Sequence, residues 1–323
     1  MIRILLAGGA GYIGSLLAPT LQEYGYEVSV IDLLWFGNHL PKEINVIKKD
    51  LFDCKKEDFQ GYDQMIFLGG LSNDPMAQFN PAMNFIYNGA QPSYLAYIAK
   101  SAGVKRFIYA SSSSIYGQTK GGLYDEDSPK ACIYPYGISK LQGERGAMQT
   151  IDDKFSVIAL RQAIVCGHSP RMRFDGIVNT MYKNCITEGK ITINNASIWR
   201  PIVDIRDIIS AYMRAIQADN HINGVFNIAS GNYTVGQIGE TVKEEVESLT
   251  EQKIAIEIKQ LPDIRNYKVT WQKATNILGY EPKYKISDSI IELHKHIEEY
   301  GDLEQDRYYN VEVFKKMEEG EGG

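Results

Sequence analysis

Short apolar runs rich in β-branched residues recur through the first half of the chain: "RILLA" (3–7), "EVSVID" (27–32), "INVIKKD" (44–50), "QMIFLGG" (64–70), "RFIYASSS" (106–113) and "FSVIALR" (155–161). Most are apolar almost throughout rather than alternating, which is the pattern of strands covered on both faces. Stretches long enough for a crossover helix, such as 15–24 and 93–102, lie between several of them. Parallel strands require such crossovers. The pattern therefore predicts an α/β fold, a doubly wound parallel sheet of Rossmann-like type.

After about residue 165 the rhythm changes. "GHSPRMRFDG" (167–176) reads as a loop, "IVNTMYKNCITEG" (177–189) as a helix, and "RPIVDIRDIISAYMRAIQ" (200–217) as a strand followed by a helix, while "GVFNIAS" (224–230) has the composition to rejoin the first sheet. Residues 1–165 are expected to form the sheet domain, with 201–231 returning to it. Residues 166–323 are expected to supply most of a smaller, interleaved C-terminal domain. The acidic end, "EEYGDLEQDRYYNVEVFKKMEEGEGG" (298–323), is expected to be a solvated helix and frayed tail.

With 323 residues and 44% hydrophobic content, the chain has material for a substantial core. A net charge of −6 offers no general attraction for nucleic acid, so a polyanionic ligand must be met by a local basic site. Cys54, Cys132, Cys166 and Cys185 are widely spaced, with no histidines at ligand spacing around them, so buried reduced thiols and no metal are expected. The N-terminal apolar run falls short of a signal peptide's ~7–15-residue core, and no stretch approaches the ~18 apolar residues of a membrane span. The expectation is a soluble cytoplasmic protein with no membrane partner.

"RILLAGGAGYIG" (3–14) sets Gly8, Gly11 and Gly14 directly after the first strand. Such a turn needs unusual dihedrals and close backbone approach to a pyrophosphate, and the helix that follows aims its first amides at the anion. Asp32 ends the second strand, where a carboxylate accepts hydrogen bonds from ribose hydroxyls and repels a 2′-phosphate. No Lys or Arg lies between Asp32 and Lys42, which points to NAD over NADP. "YPYGISK" (134–140) spaces Tyr136 and Lys140 by one helical turn. A tyrosine acting as a base near pH 7 needs its pKa lowered by about three units, a cost of about 4 kcal/mol. One cation about 4 Å away at an effective dielectric of about 20 supplies roughly that. "SSSSIYG" (111–117) ends the strand before this helix and brings hydroxyls to the sheet edge where ligands bind.

Together "GGAGYIG", Asp32, "SSSSIYG" and "YGISK" resemble the extended short-chain dehydrogenase/reductase family, the nucleotide-sugar epimerases and dehydratases, over nearly the whole chain. The resemblance implies Ser112, Tyr136 and Lys140 as catalytic residues. It implies Gly8, Gly11, Tyr12, Ile13, Gly14, Asp32, Asp50, Leu51 and Asn88, with Tyr136 and Lys140, as the NAD site, although a plain turn carboxylate fits Asp50 equally well. Gly89 departs from the family pattern beside Asn88. Arg200 and Arg265 match arginines that grip a diphosphate, and the resemblance implies Arg171, Arg173 and Asn179 as completing the nucleotide-sugar pocket, although a solvated surface charge fits Arg171 and Arg173 about equally well. Tyr116 fits either the site or the core.

At positions 113 and 114 the family's 4,6-dehydratases carry Asp and Glu, whereas this chain has Ser113 and Ser114, which cannot serve as acid and base. Hydride chemistry remains: an NAD-dependent nucleotide-sugar 4-epimerase passing through a 4-keto sugar, or alternatively a C4 dehydrogenase or 4-ketoreductase. "GHSPRMRFDGIVN" and "DIRNYKV" are similar to the branch that includes a GDP-heptose C4 dehydrogenase. A dinucleotide sensor without turnover is the reading from outside enzymology. Ile164 replaces a polar family residue near the substrate, and Ala7 replaces a threonine before the glycine turn. The family also implies a homodimer formed through the helices that carry Ser93 and Tyr136.

Overall fold

The computed structural model describes residues 1–261 and 265–320. Its main sheet has seven strands in the order Gly224–Ile228, Ser156–Gln162, Arg106–Ser112, Gln64–Phe67, Arg3–Ala7, Glu27–Asp32, Asn45–Lys48, every neighbouring pair parallel. The alternation of side chains along a strand explains why these runs are apolar throughout. Ile4 and Leu6 join the core under the helices Gly14–Glu23 and Ile205–Gln217, while Leu5 and Ala7 join the opposite core under Gln91–Ser101 and Pro135–Met148.

The second half forms a three-stranded sheet, Gly231–Thr234, Trp199–Asp204 and Ile164–Cys166. A third core gathers the helices Ile177–Glu188, Val235–Thr250 and Ile286–Lys295. Within 201–231, the strand Gly224–Ile228 and the helix Ile205–Gln217 belong to the main sheet, whereas Trp199–Asp204 stays in the smaller one. The chain thus crosses between the two halves more than once, and the cleft lies where it crosses.

The acidic end is not a solvated tail. Tyr300, Leu303 and Tyr308 are buried in the third core, and Phe314 of the helix Asn310–Glu318 packs on Leu71, Met76 and Trp35. Spaced apolar residues among the charges are enough to dock the segment while its acidic groups face water. The last three residues of the expected tail, 321–323, lie outside the described residues. Among the described residues, no helix is long and apolar enough to cross a membrane. Cys54, Cys166 and Cys185 are buried.

Candidate active site

A cavity of about 630 Å³ lies at the C-terminal ends of the main-sheet strands and extends towards the second half. Its floor is the glycine turn. Gly8 adopts φ +74°, and a Cβ there would lie 2.4 Å from Gly69 Cα, so two glycine turns touch behind the cleft. A Cβ on Gly14 would strike Gly9 O at 2.2 Å, whereas one on Gly11 would meet nothing nearer than 3.9 Å. The helix Gly14–Glu23 starts with no side-chain cap and no acidic residue in its first turn, leaving its positive end to an anion.

Asp32 lines the same cavity. Its carboxylate accepts from Ala10 N at 2.9 Å and Leu34 N at 2.7 Å, while burial pushes its pKa up against those bonds. A turn without Cβ atoms, a free helix N-terminus and a carboxylate at the next strand end fit a dinucleotide. Tyr12, Ile13 and Leu51 also line the cavity. Asp50 does not. It accepts from Phe52 N at 2.9 Å and caps the turn Leu51–Asp53.

Above the glycine turn, the strand Arg106–Ser112 and the helix Pro135–Met148 bring Ser112, Tyr136 and Lys140 together. The Ser112 hydroxyl lies 2.8 Å from Ser114 Oγ and near enough to the Tyr136 phenol to oppose the rise in its pKa. Lys140 Nζ donates to Ala110 O at 3.0 Å and stands 5.9 Å from the Tyr136 ring centroid. The electrostatics differ from the simple expectation of an ammonium making a phenol acidic. Burial pushes the Tyr136 phenol up, opposed by the nearby Ser112 hydroxyl, and pushes the Lys140 ammonium down to about 7. A site poor in water disfavours both charged forms.

Supporting bonds hold this helix in place. Asn84 Nδ2 donates to Pro135 O, and its Oδ1 accepts from Ser139 Oγ and from Asn88 Nδ2. Asn88 is buried in the π-helical turn Ile86–Ala90 and also donates to Leu71 O at 2.9 Å, so it braces the site without lining the cavity. Beneath, Glu144 takes a two-pronged bond from Arg161 and one from Ser111 Oγ. Tyr116 is fully buried against that pair and belongs to the core.

Also lining the cavity, Arg200 lies beside Tyr267 and donates to the carbonyls of Trp199 and Arg265. Arg265 pairs with Asp74 and sits over the Tyr134 ring. Arg173 pairs with Asp175, and Asn179 braces the turn by donating to Tyr12 Oη and Arg173 O. Arg171 lies elsewhere, over Phe36 and next to Asp32.

Several lining residues escaped the sequence reading: Gly69, Ser72, Trp35, Gln162, Tyr267 and Asn310. Only "GG" at 69–70, placed at a strand end like the first glycine turn, carried a signal that could have found them.

The family described as "NAD dependent epimerase/dehydratase family" matches residues 4–229. UDP-glucose 4-epimerase 3 from Oryza sativa subsp. japonica is 28% identical over 333 residues, covering 88% of this chain and 87% of that protein. UDP-glucuronic acid decarboxylase 6 from Arabidopsis thaliana is 28% identical over 304 residues, covering 90% and 87%. The structure of MoeE5 in complex with UDP-glucuronic acid and NAD has a TM-score of 0.81 at 23% identity, covering 92% of this chain and 99% of that one. Bordetella bronchiseptica WbmG in complex with NAD has a TM-score of 0.79 at 25% identity, covering 93% and 95%.

Proposed function

Since the chain belongs to the NAD dependent epimerase/dehydratase family, we propose that it is a nucleotide-sugar 4-epimerase that works through a transient 4-keto sugar. The observation that carries this reading is that Ser112, Tyr136 and Lys140, the last one turn further on, line one cavity together with Gly8, Gly11, Gly14 and Asp32.

Tyr136 takes the proton from the sugar C4 hydroxyl and later returns it, while Ser112 holds the same oxygen. When bound, NAD would supply the hydride acceptor for C4 and a positive charge that favours the phenolate form of Tyr136, which burial alone disfavours and proton transfer requires. Gly8, Gly11 and Gly14 admit the dinucleotide's diphosphate, and Asp32 takes its ribose hydroxyls. Arg200 and Arg265 line the same cavity, where the diphosphate of a sugar nucleotide would be met by planar guanidinium donors. The UDP group named in the relatives makes a UDP-sugar the substrate class to test first.

The residues that a 4,6-dehydratase would need are missing. Ser113 is buried beside Tyr267, and Ser114 is held by Ser112. Asp32, Asp74 and Asp175 are the carboxylates lining the cavity among the described residues.

A homodimer through the helices Gln91–Ser101 and Pro135–Met148 is part of the same proposal, supported by Tyr94 and Tyr97, which are 46% and 65% exposed on the first helix. Sedimentation as a monomer at micromolar concentration contradicts it.

Incubation with UDP-glucose and UDP-glucuronic acid, with and without added NAD, tests the reaction. A 4-epimer formed without net NADH is expected. Accumulating NADH makes the protein a C4 dehydrogenase instead, and NAD binding with no turnover of either sugar makes it a sensor.

A further inference from the structure

Arg171 comes from the loop that joins the strand Ile164–Cys166 to the helix Ile177–Glu188, far from the glycine turn in sequence. The loop is nonetheless bolted to that turn. Tyr12 Oη donates to Gly167 O at 2.5 Å, Ser169 Oγ donates to Tyr12 O at 2.6 Å, and Arg171 N donates to Ser15 Oγ at 3.2 Å.

The Arg171 side chain is 2% exposed and lines the same cavity as Gly11 and Asp32. Its guanidinium sits 3.7 Å above the Phe36 ring centroid, and Nη2 donates to the neutral Asn310 Oδ1 at 2.5 Å. Nε has no hydrogen-bond partner. Arg161, Arg173 and Arg265 are each paired with a carboxylate, whereas Arg171 forms no ion pair among the described residues. Burial pushes it down to about 9, with nearby Arg173 adding to the effect.

Asp175 and Asp32 favour its charge from a distance, but a guanidinium buried without a direct ion pair remains costly unless an anion meets it, and the cavity that Arg171 lines can admit one. We infer that Arg171 grips the diphosphate of the dinucleotide beside the glycine turn, so that this arginine of the second half serves the cofactor and not the sugar nucleotide. The inference rests on reading the cleft as a dinucleotide site. Its position supports the assignment: its backbone bonds Ser15, its guanidinium covers Phe36 and Asp32 lies near enough to favour its charge, while Arg200, Arg265 and Tyr267 form a group of their own. The loop therefore ties cofactor binding to the second half of the molecule, with Asn310 of the C-terminal helix holding the guanidinium in position.

Both the dinucleotide and the sugar nucleotide carry a diphosphate, so the test separates them. Calorimetric titration of the full chain, freed of retained nucleotide, with NAD, ADP-ribose, adenosine and UDP compares the wild type with Arg171→Gln, Arg171→Lys and Asn310→Ala. Arg171→Gln is expected to weaken NAD and ADP-ribose alike by about ten- to a hundredfold, the range of a charge-assisted hydrogen bond. Adenosine and UDP should change less than about twofold, and Arg171→Lys should recover part of the loss.

Lower affinity for UDP with NAD unchanged overturns the inference in favour of a substrate residue. Unchanged affinities overturn it in favour of a structural one. If Arg171→Gln does not fold, Asn310→Ala decides: it keeps the charge but frees it, and NAD affinity alone should fall, whereas an unaltered NAD affinity overturns the inference. A wild-type chain that binds UDP but not NAD removes the underlying reading of the cleft rather than this assignment alone.

Discussion

The Ser112 hydroxyl lies 2.8 Å from Ser114 Oγ at the end of the strand Arg106–Ser112, and Ser112 lines the same cavity as Tyr136 at the start of the helix Pro135–Met148. Tyr136→Phe removes the group that moves the proton and leaves the packing of the ring. Turnover should fall by about 10²–10⁴-fold with NAD affinity within about twofold of the wild type. Steady-state kinetics and a binding titration on the same preparation check this, and undiminished turnover would remove Tyr136 from the mechanism.

Lys140 makes a pH prediction. Its folded pKa of about 7 lies below the ordinary 10.5, so between those values the unfolded chain carries a proton that the folded chain has released. Stability from this group therefore rises with pH across that window and is lowest below pH 7. Lys140→Met should raise the thermal midpoint of the cofactor-free protein at pH 6 by about 2 °C or more, with the gap to wild type closing towards pH 10. The same variant should lose turnover. Melting curves at the two pH values decide it, and a gap that widens with pH reverses the sign and refutes it.

Gly8 and Gly11 should separate folding from binding. A methyl at Gly8 meets Gly69 backbone at 2.4 Å on a residue with positive φ, so Gly8→Ala should lower the melting point and yield. Gly11→Ala finds 3.9 Å of room within the protein and should melt like the wild type. Its methyl occupies the approach of the diphosphate, however, and NAD should no longer raise the melting temperature. Equal NAD-induced shifts in wild type and Gly11→Ala would show that the anion lies elsewhere.

Phe314 is 1% exposed and stacks on Trp35 with ring centroids 5.6 Å apart. Phe314→Ala should cost about 3–5 kcal/mol locally and undock the helix Asn310–Glu318. Faster proteolysis after the Asn310 segment, with a shifted Trp35 emission, is the expected reading. Protection equal to wild type would mean that the helix is held by other contacts.

Glu144 and Arg161 form a two-pronged ion pair with both side chains 3% exposed. Glu144→Gln leaves the guanidinium buried without its counter-charge and should destabilise the fold by about 3–5 kcal/mol. Urea denaturation measures it, and a change under about 1 kcal/mol would show that the Tyr116 hydroxyl and the Glu126 carbonyl satisfy Arg161 without Glu144.

What was legible in the sequence is what depends on neighbours along the chain. Near-continuous apolar runs identified the strands of a sheet covered on both faces. Gly8, Gly11 and Gly14 with Asp32 marked the anion turn, and the spacing of Tyr136 and Lys140 placed both on one helical face, because dihedral freedom and helical pitch are local properties. The tertiary structure alone decided what depends on distant segments meeting. It seated Gly69 behind Gly8, brought Arg171 to Asp32 rather than to Arg200, docked the acidic C-terminal segment through Phe314, and let burial outweigh the single cation expected to make Tyr136 acidic. Composition carries no record of which loops cross a cleft or how much water they exclude, and those two facts set both the company a charge keeps and its protonation.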